Sequence, residues 1–325
     1  MTPSERFDPP VRRLDWRVER GLPLAAFLAD VRARVGDADR FASALHHGGI
    51  HVSGRPLLEE NAPAEIPDRS WIRCHVFDRE PEPVPFGAGD VLYEDADLVA
   101  VQKPAWLCMQ GTRATQRLSL EAALRALLGV PALRAAHRLD RQTSGVALFA
   151  RHARAARELA SAFAGHRVAK RYLALVAPAP VAASFDVAGA LVRVPHPARP
   201  RFAVSADGSG RPSLSRFRTL CAAAGRALLL AEPVTGRTHQ LRVHLAAAGH
   251  PVVGDDLYGP APSPGAPHAA PRVQLHAWRL GLPPRGGTPA LVLEAPPPPD
   301  FEAAALVPSA LPEHRAGEGA DRRWT

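Results

Sequence analysis

An ionic segment that runs directly into an apolar one restricts the fold of this chain more than any other feature. Residues 136–145 read AHRLDRQTSG, and the following VALFA has the composition of a buried strand. Ionised groups next to a core are costly unless they are paired or hydrogen bonded. An acid, cations and small hydroxyl side chains at the mouth of a buried strand therefore indicate a functional site, with Asp140 at its centre.

The composition favours a polyanionic partner and excludes several other classes of protein. The formal net charge is +8, and a basic balance favours nucleic acid. The cysteines, Cys74, Cys108 and Cys221, form no CxxC pair, so neither a disulfide framework nor a thiolate metal site is expected. The chain has no apolar run of about 18 residues and no secretion signal at its start, so we expect a cytoplasmic protein without a membrane span.

The N-terminal region has the pattern of a small separate module. Residues 1–20 are charged and contain prolines, and we expect them to be loose. Helical spacing of apolar residues predicts one helix over 22–34 and a second over 37–47, which ends at two glycines. A short strand, Ile50–Val52, and a tight turn then predict a β-hairpin.

Two short helices followed by a hairpin resemble the alpha-L RNA-binding domain of ribosomal proteins and RNA-modifying enzymes. The matching stretch is ALHHGGIHVSGRPL. The resemblance implies RNA binding by residues 1–82. Where that family usually opens its second helix with a Ser-Arg pair, this chain has Gly-Asp-Ala-Asp at 36–39. A structural appendage without RNA binding is the alternative interpretation.

A larger region follows a linker at 83–89 that is rich in proline and glycine. Strands and short helices mix irregularly over 90–302 with no regular βαβ repeat, so we predict an α+β domain with a mixed, largely antiparallel sheet. We expect residues 260–271, PAPSPGAPHAAP, to form a low-complexity surface loop. Residues 303–325 are expected to form a disordered tail.

The order of motifs in this region resembles the RluA-type RNA pseudouridine synthases. HRLDRQTSGV looks like the signature of that family, written as HRLD, two variable residues and TSG. Upstream, YEDADLVAVQKPAWL resembles its first motif, and downstream AKRYLALV resembles the strand of its active-site tyrosine. Residues 233–259, PVTGRTHQLRVHLAAAGHPVVGDDLYG, match the family pattern almost throughout. The resemblance implies the pseudouridine synthase fold for 90–302: a long, bent, mostly antiparallel mixed sheet with flanking helices and the active cleft across it.

The resemblance also implies which residues carry the reaction, the isomerisation of uridine to pseudouridine in RNA. Asp140 is the expected catalytic carboxylate, which engages the sugar or the base covalently or stabilises an intermediate. Arg242 is its expected partner, because a nearby guanidinium favours the charged carboxylate and aims it. Tyr172 is expected to pack on the uracil and to remove the carbon 5 proton. The reaction has no redox step, so we expect no cofactor and no metal ion.

A further set of residues is expected to bind the RNA. A paired uridine must be extruded from its helix, and Arg138 resembles the family residue that fills the vacated stack. Alternation of Leu241, Val243 and Leu245 with polar side chains predicts that Gln240–Leu245 is a strand. The other expected substrate-binding residues are Lys170, Arg237, Thr238, His239, Gln240 and Leu241.

Three other classes of protein compete with this interpretation. A hydrolase could use Ser144, His239 and Asp140, but the GxSxG nucleophile elbow is absent. A metal enzyme is disfavoured because a strand would put His239 and His244 on opposite faces. A non-catalytic RNA-binding protein on the same fold is disfavoured by the intact catalytic set. The candidate metal ligands are His239, His244, His250, Asp255 and His276.

We expect the substrate to be large-subunit ribosomal RNA, because family members with an N-terminal RNA-binding appendage often act there. Transfer RNA is the alternative substrate. We expect the protein to act as a monomer.

Overall fold

A computed structural model of the protein describes residues 2–196, 199–260, 269–285 and 287–303. Most of the expected 260–271 loop and the expected tail beyond residue 303 lie outside the described residues. The α-helices are α1 (Pro3–Phe7), α2 (Leu24–Val35), α3 (Ala38–His47), α4 (Leu120–Leu128), α5 (Ala153–Ala164) and α6 (Gln240–Ala247). The strands are β1 (Val11–Val18), β2 (Leu22–Pro23), β3 (Ile50–Val52), β4 (Arg55–Pro56), β5 (Glu65–Ile66), β6 (Ser70–Phe77), β7 (Val91–Glu94), β8 (Leu98–Lys103), β9 (Arg134–Ala135), β10 (Ser144–Ala150), β11 (Ala169–Val176), β12 (Ser184–Val194), β13 (Arg201–Val204), β14 (Arg211–Ala223), β15 (Arg226–Pro233), β16 (Leu275–Leu282) and β17 (Leu291–Glu294).

The chain divides into two compact units. The first, called here the N-terminal unit, comprises Met1–Ala88 and Trp106–Ala135. The second, called here the catalytic unit, comprises Gly89–Ala105 and Ala136–Thr325. The structure thus groups Trp106–Ala135 with the N-terminal residues, whereas the boundaries expected from the sequence place it in the region 90–302. Those boundaries stay a prediction.

The N-terminal unit is built on an antiparallel sheet of strand order β1-β6-β3-β4. The helices α2 and α3 bury Phe27, Val31 and Ala44 against Ile50 and Ile72 in one apolar core. The two predicted helices and the hairpin are therefore confirmed. In this unit, as in the rest of the described chain, no helix is both long and apolar enough to cross a membrane.

The expectation that residues 1–20 are loose is wrong. Strand β1 pairs with β6 along its whole length, from Val11 opposite Phe77 to Val18 opposite Ser70. Leu14, Trp16 and Val18 stand at alternate positions and pack against the core, which is the pattern of a half-buried strand. The charged residues beside and between them, Arg12, Arg13, Asp15 and Arg17, concealed the alternation.

The catalytic unit is built on a long mixed sheet of strand order β13-β12-β14-β15-β11-β16-β10-β8-β7. Strand β10 runs parallel to β16, and the other paired strands along this order are antiparallel. Strand β17 pairs with β16. Helix α5 packs Leu159 against Leu148 and Leu280 of the sheet, and Leu241 and Leu245 of α6 belong to a second apolar cluster. The predicted α+β class is confirmed.

The expectation that Gln240–Leu245 is a strand is wrong, because these residues form the start of helix α6. All six residues are buried, so the polar side chains do not form an exposed face of the helix. The polar side chains are buried because each has partners inside the protein: Gln240 contacts Leu214 and Ser215, and His244 contacts Ser215. The alternation of polar and apolar residues in this segment therefore does not indicate which side chains are exposed.

Candidate active site

Asp140 lies in a tight turn at the entrance to β10. The backbone N–H of Thr143 donates to the Asp140 carbonyl over 3.1 Å, and Thr143 is buried. The buried Lys103 ammonium, at the end of β8, donates to the carbonyl of Arg141 over 3.0 Å. These contacts fix the backbone of the turn, while the Asp140 side chain keeps 25% of its surface exposed and can be reached from solvent.

A single guanidinium connects Asp140 to a second, buried carboxylate. The Nε and Nη2 atoms of Arg242 donate to the two oxygens of Asp255, each over 2.7 Å. The remaining nitrogen, Nη1, donates to Asp140 Oδ2 over 3.0 Å. The side chains of Asp255 and Arg242 are 0% and 7% exposed, so a rigid, dry pair presents Arg242 to the exposed carboxylate.

Electrostatics keep the Asp255–Arg242 pair ionised. Burial would lower the pKa of the Arg242 guanidinium, but the hydrogen bonds and negative charges of Asp255 and Asp140 outweigh it and raise that pKa. Burial would likewise raise the pKa of Asp255, but Arg242 and the backbone N–H groups of Leu257 and Tyr258 hold it below its usual value. The Asp255–Arg242 pair is thus a fixed support for Asp140.

The pairing of three neighbouring strands brings Tyr172 towards the turn that holds Asp140. Gly145 of β10 lies opposite Ala277 of β16, and Ala277 lies opposite Tyr172 of β11. At Gly145, where φ is +115°, a Cβ atom would lie 2.2 Å from the Ala277 carbonyl oxygen, so the close approach of β10 to β16 requires glycine. The register shifts between Arg171 and Tyr172, and such an irregularity re-aims the side chain that follows.

The phenol of Tyr172 is kept neutral. Burial raises its pKa above the ordinary value, and the negative charge of Asp140 raises it further. Because the phenolate is disfavoured by Asp140 in particular, the two side chains are coupled. Loss of the charge on Asp140 would make the Tyr172 proton easier to remove.

His239 approaches the other oxygen of Asp140. Its Nε2 atom lies 3.8 Å from Asp140 Oδ1, and its Nδ1 atom lies 2.8 Å from the Tyr258 hydroxyl. The backbone N–H of Phe202 donates to that hydroxyl over 3.1 Å. The residue sits just before α6 in the left-handed region, at φ 57°. Burial lowers the pKa of its ring, so His239 is a neutral neighbour of Asp140 at pH 7.

Of the other expected RNA-binding residues, Arg237 and Thr238 belong to the turn that precedes α6, and Lys170 contacts it. Arg138 is exposed and stands two residues before Asp140 in the chain. Lys170 donates to the Thr235 carbonyl over 3.0 Å, and burial together with the charge of Arg237 lowers its pKa to about 8. Thr238 is exposed. These positions leave cationic and polar groups near the carboxylate.

Two of the expected substrate-binding residues are turned inward. Gln240 Oε1 accepts from the Thr235 hydroxyl and from the Arg237 backbone N–H, so its side chain fixes the turn. Leu241 is 6% exposed and belongs to the apolar cluster under α6. From these places both side chains support the position of Arg242.

The competing sites do not assemble. Ser144 is fully buried, and its hydroxyl lies 2.9 Å from Nδ1 of His276 rather than beside His239. No group of three or more potential metal ligands comes together within the residues that the structure describes. His244 contacts Ser213 and Ser215, and His250 contacts the Pro178 carbonyl. Because Gln240–Ala247 is a helix, strand geometry does not separate His239 from His244. The separate partners of the histidines are what disfavour a metal site.

Sequence reasoning missed the two residues that organise the site from behind. Asp255 was considered only as a metal ligand, and Tyr258 was not singled out, although both stand in the quoted segment GDDLYG. The available signal was a pair of acids in an otherwise apolar stretch, because an acid that becomes buried needs a cation. The cation it pairs with, Arg242, had already been assigned to Asp140.

Comparison with known proteins identifies the family of the chain. A family model described as RNA pseudouridylate synthase matches residues 97–247. The dual-specificity RNA pseudouridine synthase RluA of Salmonella typhi is 36% identical over 198 residues, which cover 59% of this chain and 85% of that protein. The ribosomal large subunit pseudouridine synthase D of Nitrosomonas europaea is 35% identical over 228 residues, 66% of this chain and 63% of that protein.

A solved structure gives the same result for the fold. The human RNA Pseudouridylate Synthase Domain Containing 1 superposes with a TM-score of 0.54 at 29% identity, over 68% of this chain and 90% of that chain. By sequence and by fold, this chain belongs to the RluA-type RNA pseudouridine synthases, isomerases that form pseudouridine in RNA.

Proposed function

We propose that Asp140 is the catalytic carboxylate with which this enzyme converts a flipped-out uridine to pseudouridine. The observation that carries the proposal is the chain of contacts from Asp255 through Arg242 to Asp140. Only its last member, Asp140, has a substantial exposed surface, and a preorganised carboxylate at a cleft is what covalent or electrostatic catalysis on the nucleoside needs.

The reaction is an isomerisation in which all atoms are retained. The bond between the sugar and the base nitrogen N1 breaks, the uracil rotates, and carbon 5 forms the new bond to the sugar. Carbon 5 then loses a proton while N1 gains one. Asp140 assists by attacking the sugar or the base, or through a glycal intermediate.

Tyr172 is proposed to lie against the uracil and to accept the carbon 5 proton. In the resting enzyme its phenol is protonated, because burial and the charge of Asp140 raise its pKa. Ester formation by Asp140 would remove that negative charge and thereby lower the cost of a phenolate. The coupling of the two groups supports a Tyr172 whose role begins after Asp140 has reacted.

Arg138 is proposed to occupy the space that the uridine leaves in its helix. Its exposure and its distance of two residues from Asp140 support this role, and a guanidinium plane stacks well on bases. Around the extruded nucleotide, we propose RNA contacts for Lys170, Arg237, Thr238 and His239, and a supporting role for Gln240 and Leu241.

We propose large-subunit ribosomal RNA as the substrate. The similarity to a protein named for the ribosomal large subunit supports this choice. Transfer RNA is the second candidate, and a similar relative that is named as dual-specificity supports testing more than one RNA. A non-catalytic RNA-binding role remains the alternative from another class, and it requires an inactive Asp140.

The proposal is tested by tritium release from transcripts that carry tritium at uracil carbon 5. Ribosomal and transfer RNA are supplied separately to the wild type and to Asp140→Asn, with thermal melting to verify that the variant is folded. Release by the wild type alone supports Asp140, and the RNA that releases tritium identifies the substrate class. Release by Asp140→Asn refutes the assignment. Release by neither protein, with a footprint on the RNA, would establish the binding-only alternative.

A further inference from the structure

The sheet of the N-terminal unit has an outer face that turns away from its apolar core. Along β1 and β6, the residues that alternate with the core positions form cross-strand pairs on this face. Arg17 lies opposite Trp71, and Asp15 lies opposite Arg73. The next pair along the strands is Arg13 opposite His75.

Trp71 is unusually placed for a tryptophan. It is 62% exposed. The other large apolar side chains that are exposed in the described residues are aliphatic. A large aromatic ring that is exposed to water is stabilised when a partner covers it, so such a ring marks a binding surface. Every base has a flat face that such a ring can stack on.

Arginines lie on the same face of the sheet as the ring. Arg13 and Arg73 donate from Nε to the two oxygens of Asp15, at 2.8 and 2.7 Å. One acid thus holds two guanidinium groups, whose remaining N–H groups are available to an anion. Arg17 stands across from Trp71 and pairs loosely, over 4.0 Å, with Glu19.

A groove of about 330 Å³ opens beside Trp71. Its lining includes Arg73, Arg113, His51 and Gly54, and also Asp15, whose carboxylate is paired with arginines. The backbone carbonyl of Arg113 is in hydrogen-bond contact with His51 Nε2 over 2.8 Å, which ties the Arg113 segment to the sheet. The groove therefore has an aromatic wall and cationic walls that belong to one compact unit.

The electrostatic state of His75 agrees with a positive potential at this face. Burial, together with the smaller effects of His51, Arg73, Arg113 and Arg13, lowers the pKa of its ring to about 4. Within the described residues its Nε2 atom is buried and has no hydrogen-bond partner. The arginines that disfavour a proton on His75 favour a phosphate at the same place.

We propose that this outer face binds a single-stranded segment of the RNA substrate, with one base stacked on Trp71 and phosphates on Arg73 and Arg113. The inference goes beyond the proposed function, because it needs neither Asp140 nor a particular target uridine. It assigns RNA binding to the sheet of the N-terminal unit and not to its helices. Charge complementarity selects RNA over an acidic protein because stacking and phosphate contacts occur side by side.

The test measures binding of a fluorescent single-stranded oligouridine to the full-length protein. Trp71→Ala is expected to weaken binding roughly 5- to 100-fold, and Trp71→Phe much less, since a phenyl ring still stacks. Arg73→Gln is expected to weaken binding and to reduce the salt dependence by about one phosphate contact, whereas Trp71→Ala leaves the salt dependence unchanged. Two matched controls lie in the same unit: Leu127→Ala removes another exposed apolar side chain, and Arg32→Gln removes a charge from α2.

Tritium release is measured in parallel on a long RNA. A Trp71→Ala enzyme with raised KM and unchanged kcat supports the proposal, and the binding result stands even if the wild type releases no tritium. Equal affinity of wild type and Trp71→Ala for oligouridine would overturn it, as would an equal loss in Arg32→Gln. Unchanged RNA binding together with self-association that Trp71→Ala abolishes in sedimentation would assign the face to a second copy of the chain.

Discussion

Arg242 donates two hydrogen bonds of 2.7 Å to Asp255 and one of 3.0 Å to Asp140. The bidentate contact is buried, and the single contact reaches a carboxylate that is partly exposed. The direction in which Asp140 points therefore depends on Asp255, although Asp255 lies too deep to touch the RNA.

Replacement of Asp255 by asparagine should reduce kcat and leave KM nearly unchanged. An amide offers only one acceptor, so Arg242 loses its fixed plane, and a small misplacement of a catalytic group costs about 100-fold in rate. The free energy of unfolding should fall by about 3 kcal/mol, because a buried pair loses one charge. Asp256→Asn is the control, since Asp256 is partly exposed and pairs with Arg199. If the free energy of unfolding falls while kcat stays unchanged, Asp255 has only a structural role.

Arg138→Ala should impair modification of a paired uridine more than of an unpaired one. Extrusion from a helix costs a few kcal/mol, and without a side chain to fill the gap we expect roughly a 10- to 100-fold loss on the duplex substrate. The same uridine in an unpaired strand should be modified at nearly the wild-type rate. Initial rates of tritium release on matched duplex and single-stranded substrates check this. Equal losses on both would place Arg138 in ordinary RNA binding.

RNA affinity should decrease as pH rises from 7 to 9. Burial and the charge of Arg237 lower the pKa of Lys170 to about 8, so its positive charge is present below that pH and lost above it. Loss of one charged phosphate contact should weaken binding roughly tenfold. Lys170→Arg stays charged over this range and should remove the effect, and it also corrects for titration of the RNA. An identical pH profile in both proteins would show that Lys170 makes no phosphate contact.

The protein should lose stability between pH 6.5 and pH 4. Burial lowers the pKa of His244 from 6.5 to about 4, so in this window the unfolded ring binds a proton that the folded ring does not. The stabilising contribution of the neutral ring is therefore complete above pH 6.5. Below that pH, the free energy of unfolding should fall by roughly 1 kcal/mol per pH unit for each such histidine. His276 has the same lowered pKa and adds to the effect. Urea midpoints should show a flatter pH profile for His244→Gln than for His250→Gln, and equal profiles would contradict this.

The sequence was most informative where one face of an element is exposed or where a motif is long. The helices α2 and α3 and the 136–145 turn could be predicted for that reason. Helix α6 could not, because Gln240, Arg242 and His244 are polar and yet buried, with partners that come from distant strands. Asp255 was missed on the same grounds: its role depends on a guanidinium that folding brings to it.

The parallel pairing of β10 with β16 has a consequence for the newly made chain. Asp140 and Arg242 are 102 residues apart in sequence, and Ser144 is 132 residues from His276, the residue opposite it. Contacts of such long range form late, after the intervening chain has been synthesised and its loops have closed. In a nascent chain that is released before β16 has been synthesised, β10 therefore lacks its parallel neighbour. Premature termination anywhere in the first three quarters of translation yields a protein whose catalytic centre is not assembled.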